Sequence, residues 1–583
     1  MAEDPPPLVV HRLRLLSDQP VEGCELVPDV FMLNGISPMT VRLEYAADPP
    51  TRASPLLASS SAVPREADRR TEHAPVSITP APTHAPMARR RYKWYRCMDK
   101  MACSWCGKTP VVLQRLTDQT YFCSSQCFVN AWPGHSAQHR TGLTGSKGTG
   151  DKYVPGVSNG PEASTEQKWT EVANTMSYTP QHEDIGHTLK LACTPYHPDG
   201  TKGTAKTLKT SYVIAPPPPP PPRRMLIVRN NVVVSAGKPG TFRTNMNRLG
   251  FTMLTYNCLA EIYATSEAYP YCPAWALPWN YRRRNILREL VAYHADVMCL
   301  QEVQADHFEN FLEPELAKYS YAGLHKCKTR EFMGQYGKMD GCAIFYRRDK
   351  FTLLPGGSLE VEFNAIARAR HGNDKRLLNR LLRDNVAQVV ALEVNMAAGQ
   401  PPGGRRQLCV ANTHINAAVE FSDVKLWQTQ HLLLEVERMM TQVSGSINNL
   451  PLVIAGDFNS LPGSDPHILL SSGGVQVQDE QGLLAGLPLR HALPLRSAMA
   501  TVGAHINASA ESHELQKMEP PYTNFTAQFV GTLDYMWYTY DRLSVGGLLE
   551  MVEDRLVQES TALPSPTFSS DHVPLLSEFY FKR

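Results

Sequence analysis

Several apolar runs in the second half of this chain stop at, or adjoin, side chains that can bind a metal ion or a phosphate. MLTY ends at Asn257, VMCLQ at Glu302 and VANT at His414. VIAG ends at Asp457, with Asn459 two residues on; LDY carries Asp534, and Asp571-His572 precedes the last run. One polar ending is unremarkable, because strands leave the core into polar loops. Six in order carry more weight, since strand ends of α/β sheets form the usual ligand crevice. Glutamate, aspartates, asparagines and two histidines, without a paired Ser or Cys nucleophile, suit a hard cation and a charged, oxygen-rich substrate. Mg²⁺ prefers carboxylate and water oxygens together with substrate phosphates. The reaction class implied is metal-assisted hydrolysis of a phosphodiester or phosphomonoester. A carboxylate would align water and imidazoles would stabilise the developing charge.

The elements that must position these groups begin after Arg243, where short apolar runs alternate with helical patterns for more than 300 residues. FTMLTY, VMCLQ, CAIFY, VAQVVALEV, LCVANT, LVIAG, LDYMWY and LLSEFYF have strand length. Between them Ile286, Leu287, Leu290 and Val291 share one helical face, Phe308, Phe311 and Leu312 another, and Leu426, Leu433, Val436 and Met440 a third. The alternation predicts an α/β layered domain.

The rest of the chain is different material. At 583 residues it exceeds what one core can organise. Lys+Arg 58 against Asp+Glu 56 leaves a formal charge of +2, so any attraction for nucleic acid must be local. Mean hydropathy is −0.30, no apolar run nears bilayer length, and MAEDPPPL is unlike a signal peptide. A reduced, intracellular protein without a membrane partner is expected. The 46 prolines cluster between domains. Residues 47–88 are rich in Pro, Ala, Ser and Thr, too apolar-poor to offset ordering entropy. VVHRLRLL, CELVP and VRLEYA before them read as short strands, and RRRYKWYRC after them resumes the same small β-module. TLKLAC, HPDGTKG and TLKTSYVI read as strand, turn and strand. Pro216–Pro222 is a stiff polyproline run, read as a spacer rather than an aromatic-groove ligand.

Thirteen cysteines include the pattern Cys103-x2-Cys106-x16-Cys123-x3-Cys127, followed by His135 and His139. Two closely spaced pairs fit one tetrahedral zinc ion, because each pair reaches the metal from a tight knuckle. A closed four-ligand site has no open position for chemistry, which makes the module a docking surface. His135 and His139 are either remnants of a second site or residues of a helix surface, and Cys97 is a spare.

TYNCLAEIYA, YCPAWALPWNYR, CLQEV, DGCAIFYRRDKF, NTHI with SDVKLWQ, AGDFNSLPGS, YTNFT with FVGTLDYMWY, and SSDHVPLLSEF resemble the endonuclease/exonuclease/phosphatase superfamily. Within it they resemble the deadenylase branch, the carbon catabolite repressor protein 4 type, over about Phe251 to Phe581. The blocks fall in family order. The resemblance implies a two-layer α/β sandwich with a mixed sheet, preceded by small β and zinc-finger modules. It implies a Mg²⁺-dependent 3′-to-5′ exoribonuclease that shortens poly(A) tails and releases 5′-AMP. Mg²⁺, as two ions, falls to Glu302 with Asn257 near it. Asp457 would orient the water, Asn459 and His414 would contact the scissile phosphate, and Asp534 and His572 would complete the acid/base pair. Asp571 would hold that loop beside the substrate. Phe529 matches the residue that stacks on an adenine; read without the family it is a core aromatic beside a strand. His414-Ile-Asn-Ala-Ala-Val419 departs from the His-x-His-Trp-Asp-Pro of fungal and animal relatives and lacks its second His and its Pro.

CSSQCFVNAWPGHSAQH resembles the end of a MYND finger, as in plant-type members of the branch. That finger implies binding to the partner deadenylase and, through it, to other subunits of the Ccr-Not complex. The implied location is the cytoplasm, including processing bodies, and the nucleus. The expected organisation is a β segment at 8–46, a disordered linker at 47–89, a MYND-like finger with structural Zn²⁺ at 90–140, a linker at 141–167, a small β module at 168–214, a polyproline linker at 215–242 and the nuclease domain at 243–583. Two rival readings stand beside it: a nocturnin-like phosphatase on phosphorylated nicotinamide dinucleotides, and a non-catalytic scaffold.

Overall fold

A computed structural model describes residues 8–15, 19–34, 37–39, 89–100, 167–197, 199–229, 232–235 and 249–582, apart from 330–337, 396–405, 480–481 and 507–518, together with isolated positions at 113–114, 121–122 and 126. The four zinc-candidate cysteines and the linkers at 47–88 and 141–166 lie outside the described residues. The chain divides into two units, Met1–Ala215 and Pro216–Arg583.

Among its described residues the N-terminal unit is built mainly of β-strands, with one short 3-10 helix at His182–Asp184. β1 (Leu8–Leu15), β2 (Pro28–Asn34) and β3 (Ser37–Met39) form one antiparallel sheet. β4 (Arg89–Lys100), β5 (Trp169–Ala173), β6 (His187–Tyr196) and β7 (Lys206–Tyr212) form a second, in the order β5-β4-β6-β7. One core joins them: Val10, Leu13, Val30 and Met32 pack with Tyr92, Trp94, Leu189 and Leu191. The segments expected at 8–46 and 168–214 therefore share a core instead of forming two modules. The first residues assigned to the finger, 90–100, are the strand that joins them. A long insertion between paired strands adds little closure entropy, since each doubling of loop length costs only about 0.6 kcal/mol.

In the second unit two sheets face each other. The first runs β9 (Val232–Ser235), β8 (Met225–Arg229), β20 (Leu543–Leu549), β21 (Leu575–Phe581), β10 (Gly250–Asn257), β11 (Val297–Gln304), β13 (Asp340–Arg347), β12 (Tyr321–Cys327). The second runs β14 (Phe351–Glu362), β15 (Val386–Val394), β16 (Gln407–His414), β17 (Leu452–Asp457), β19 (Asp534–Thr539), β18 (Leu495–Ser497). Phe251, Met253, Cys299 and Phe579 of one meet Val390, Val410, Val453 and Met536 of the other in a shared core. Helix α1 (Trp279–Tyr293) covers the outer side of the first sheet. Helix α2 (Ser422–Ser444) covers the outer side of the second. The expected α/β sandwich is present, with two facing sheets inside and helices outside.

The second unit begins before the expected boundary at 243. β8 pairs with β20, burying Met225 and Ile227. Arg223, also buried, donates to the carbonyls of Glu550 and Pro574. Pro219–Pro222 line a small cavity with Arg288, Glu289 and Tyr293 of α1, so this end of the proline run is part of the unit and not only a spacer. Fully burying two such apolar side chains contributes about 3–6 kcal/mol. A fragment starting at 243 is therefore expected to melt about 3–10 °C below one starting at 216 and to aggregate through the bared β20 edge. Differential scanning calorimetry and light scattering on the two fragments check this; equal melting would remove β8 from the structural unit.

Candidate active site

Parallel strand pairing builds the site. β10 and β11 run parallel, Asn257 opposite Gln301, so both leave the first sheet at one edge. β16 and β17 do the same in the second sheet, His414 opposite Asp457. β19 enters antiparallel, its first residue Asp534 paired with Asp457. The polar endings of separate apolar runs thereby meet. Gly456 permits the approach of β17 to β16: at φ 150° a Cβ there would lie 2.1 Å from the Thr413 carbonyl oxygen. Glu302 sits at a register break in β11 with φ 57°. Such a left-handed residue costs on the order of 1–3 kcal/mol and re-aims its side chain.

Asn257 is the hinge of the hydrogen-bond network. Its amide nitrogen donates to Glu302 Oε1 and to Asp457 Oδ2, at 3.1 Å each, and its Oδ1 accepts from the Leu259 N–H. Asn257 thus turns a donor toward the acids and orients both. Glu302 Oε2 accepts from the Ala260 N–H at 2.9 Å. Asp457 Oδ1 accepts from the Asn459 N–H at 2.8 Å. Its Oδ2 stands 3.5 Å from His414 Nε2 and 3.7 Å from His572 Nε2. His572 Nδ1 is 2.6 Å from Asp534 Oδ2. Asp571 Oδ2 accepts from the Tyr269 hydroxyl and from Asn524 Nδ2. Asn459, itself at φ 47°, donates through Nδ2 to the Ile415 carbonyl.

Burial and like charge set the protonation states. Burial, then the Asp340 and Asp571 carboxylates, push Glu302 up to about 7. Burial and Asp534 also raise Asp457. His414 is lowered to about 4 by burial and by Lys328, leaving a neutral imidazole whose buried Nδ1 has no hydrogen-bond partner among the described residues. For His572 burial acts downward, but Asp534, Asp571 and Asp457 outweigh it and hold the ring well above its ordinary value. Lys328 pairs with Asp340 at 2.5 Å beneath the Tyr263 ring.

Asp457, Asp534 and His572 each bring a ligand atom within 4.8 Å of the others and form a group able to hold a metal ion. Asp534 Oδ1 is buried there without a hydrogen-bond partner among the described residues. On the other side of Asn257, Glu302 offers oxygen ligands and a buried charge that the surrounding acids disfavour. These residues fit a hard divalent cation.

A cavity of 960 Å³ opens over the cluster, lined by Glu302, His414, Asp457, Asn459, Asp571 and His572, with Phe529 at its rim. Asn257 and Asp534 stand behind this lining, 1% and 2% exposed. Phe529 is 36% exposed, so it is not a core aromatic. Its ring and Leu461 converge over Gly531, where a Cβ would lie 2.9 Å from each. Every residue singled out in the second half of the sequence is therefore brought to one site. The sequence reading missed Tyr269, Lys328, Asp340, Lys425 and Asn524. Asp340, Lys425 and Asn524 lie inside motif blocks already noted, DGCAIF, SDVKLWQ and YTNFT, whereas Tyr269 and Lys328 reach the site from loops without a local signal.

Residues 254–572 match the Endonuclease/Exonuclease/phosphatase family. The chain is 36% identical to carbon catabolite repressor protein 4 homolog 1 of Arabidopsis thaliana, over 98% of each protein. It is 32% identical to the CCR4-Not complex 3′-5′-exoribonuclease subunit Ccr4 of Saccharomyces cerevisiae, over 58% of this chain and 40% of that one. Among solved structures, ANGEL2, a 2′,3′-cyclic phosphatase, in complex with adenosine-2′,3′-vanadate, is 28% identical and covers 59% of this chain and 100% of its own, with a TM-score of 0.45.

Glu302 gives a prediction with two signs. Its raised value means that folding favours the protonated form: without metal the penalty is absent below about pH 4, grows as the unfolded chain ionises and is complete above about 7. Glu302→Gln should therefore melt at or above the parent at pH 8 in Mg²⁺-free buffer, yet lose the rise in melting temperature that Mg²⁺ gives the parent. Thermal unfolding with and without the ion measures both, and a variant still stabilised by Mg²⁺ would remove Glu302 from the metal site.

Proposed function

The chain belongs to the endonuclease/exonuclease/phosphatase family and, within it, to the carbon catabolite repressor protein 4 homologues, and from that premise we propose that it is a metal-dependent 3′-to-5′ exoribonuclease that shortens poly(A) tails. The name of the Saccharomyces relative supports the reaction. The carrying observation is the cluster of Asp457, Asp534 and His572 beside Glu302, beneath a cavity with an aromatic at its rim. Glu302 would hold Mg²⁺, with the Asp457 group as a second place for an ion. The cation would polarise the scissile phosphate and stabilise the leaving oxygen.

Asp457 takes the proton of the attacking water. Asn257 and the Asn459 N–H fix its two oxygens, and its raised affinity for a proton suits a general base. His572, kept protonated by Asp534, places positive charge where the phosphate gains negative charge. Neutral His414 and Asn459 would contact the scissile phosphate, the imidazole without adding charge. Lys425 holds the Asn459 carbonyl at 2.7 Å and so fixes the loop after Asp457. Asp571, held by Tyr269 and Asn524, keeps His572 in place and adds to its charge preference.

We also assign a structural zinc ion to Cys103, Cys106, Cys123 and Cys127, and to that finger the docking of partner subunits of a Ccr-Not complex in the cytoplasm. One zinc per chain by elemental analysis, lost together with partner binding in Cys106→Ser while hydrolysis persists, is the expected outcome. Hydrolysis lost with the nuclease unit still folded would overturn the docking role.

Phosphate contacts are blind to sequence, so adenine preference must come from a group that meets the base. Phe529, exposed at the cavity, is the group we assign to it, and a base stack is worth about 1–3 kcal/mol. Phe529→Ala should slow oligo(A) cleavage about five- to a hundredfold, and oligo(C) cleavage less. The assay is a Mg²⁺-dependent ladder from 5′-labelled RNA ending in adenosines, with 5′-AMP as product, run beside a phosphorylated nicotinamide dinucleotide. Asp457→Ala should lower the rate at least about a hundredfold. An unchanged oligo(A)/oligo(C) ratio would remove Phe529 from base selection, and faster hydrolysis of the dinucleotide would replace the deadenylase reading.

A further inference from the structure

The four-stranded sheet of the N-terminal unit has two unlike faces. Tyr92 and Trp94 on β4 and Leu189, Leu191 and Cys193 on β6 alternate inward, onto the core shared with β1 and β2. The residues between them turn the other way and reach solvent: Arg91, Lys93 and Tyr95 on β4, and Lys190 on β6. Tyr95 lies opposite Lys190, and Lys190 opposite Lys209 on β7. Lys190 Nζ stands 4.3 Å from the Trp169 ring centroid and 4.9 Å from that of Tyr95. Lys209 Nζ stands 5.4 Å from Trp169. The carboxylate of Glu171 meets Lys93 at 2.6 Å and Lys209 Nζ donates to Gln167 Oε1 at 3.0 Å; among the described residues Lys190 and Lys209 supply positive charge beside the two rings, with Arg91 farther along β4.

An antiparallel sheet whose open face alternates aromatic rings with cations matches what a flexible polyanion with flat bases requires. Each base has a π-face whatever its identity, and the backbone phosphates fall among the cations. Burial and the neighbouring Lys209 both disfavour charge on Lys190, and an anion seated between the two ammonium groups would offset that. An acidic peptide would satisfy the charges but leave the rings without a stacking partner. We infer that this face of the N-terminal unit binds single-stranded RNA, with bases on Trp169 and Tyr95 and phosphates on Arg91, Lys190 and Lys209. It is a second RNA contact outside the active-site cavity, and its binding does not depend on the exoribonuclease reading.

The test uses the full chain and a 5′-fluorescein-labelled, 20-nucleotide single-stranded RNA of mixed sequence, followed by anisotropy in Mg²⁺-free buffer over a range of salt. Trp169→Ala should weaken binding about fivefold or more. Lys190→Gln with Lys209→Gln should weaken it and reduce the slope of log K against log salt by about 0.7 per lost phosphate contact. Arg12→Gln with Arg14→Gln removes the same charge from β1, where both arginines meet Asp29, and should change little. Cleavage of a six-nucleotide oligo(A) should be unchanged in all of these variants. Unaltered RNA affinity and slope in both face variants would overturn the proposal, as would an equal loss in the β1 control or equally strong competition by polyglutamate. If the parent cleaves no oligo(A), the exoribonuclease reading fails while the binding result stands.

Discussion

The second unit is organised around one electrostatic constraint: Glu302, Asp340, Asp457, Asp534 and Asp571 are gathered at one end of a dry sandwich, each 9% exposed or less except Glu302, which lines the cavity. Carboxylates so close repel, and removal from water adds to the cost. The fold answers most of them individually. Lys328 meets Asp340, His572 meets Asp534, and Tyr269 and Asn524 donate to Asp571. Asn257 binds Glu302 and Asp457 with one amide. Among the described residues Glu302 has no salt bridge of its own, and burial with the Asp340 and Asp571 carboxylates raises its pKa to about 7, which makes it a natural place for a bound ion.

Holding the cluster needs a frame that does not yield to the repulsion, and buried Arg282 supplies part of it. Its guanidinium donates to the carbonyls of Leu277, Cys258 and Ser569. Cys258 follows Asn257, and Ser569 lies two residues before Asp571. One side chain on α1 therefore ties together the two loops that carry opposite sides of the site. Ser570 adds a bond from its hydroxyl to the Asn257 carbonyl. With neighbouring strands parallel at both sheet edges, the acids have little freedom to drift apart, and separation by side-chain rotation is blocked by burial.

How much of this is legible in the sequence follows from the range of each signal. Strand-length apolar runs ending in Asn257, Glu302, His414 and Asp457 announce themselves locally, because alternation and termination are properties of a few neighbouring residues. The helical faces of α1 and α2 are legible for the same reason. The merger of 8–34, 89–100 and 169–212 into one core is not, since it rests on Trp94 pairing across insertions that leave no local trace. Nor is the place of Met225 and Ile227 in the large sheet, because the proline run before them reads as a boundary. Arg282 is the first of three successive arginines with nothing local to set it apart; only its packing beneath the Ser569 loop makes it a buried tie. Phe529, read without the family, is a core aromatic beside a strand, and its exposure corrects that reading.

A metal cluster of this kind is indifferent to which nucleotide lies over it, since every contact it makes is with oxygen. Selectivity must therefore come from surfaces that meet bases, and the two proposed ones differ in character. Phe529 is a single ring at the lip of a cavity, where one base can be held in fixed geometry against Leu461 and Gly531. The sheet face of the N-terminal unit carries two rings among cations, an arrangement that would hold any base and rely on charge for much of its affinity. The first can discriminate because a cavity excludes what does not fit. The second cannot, and its contribution is retention of the polymer, which weakens with salt while the selectivity of the cavity does not.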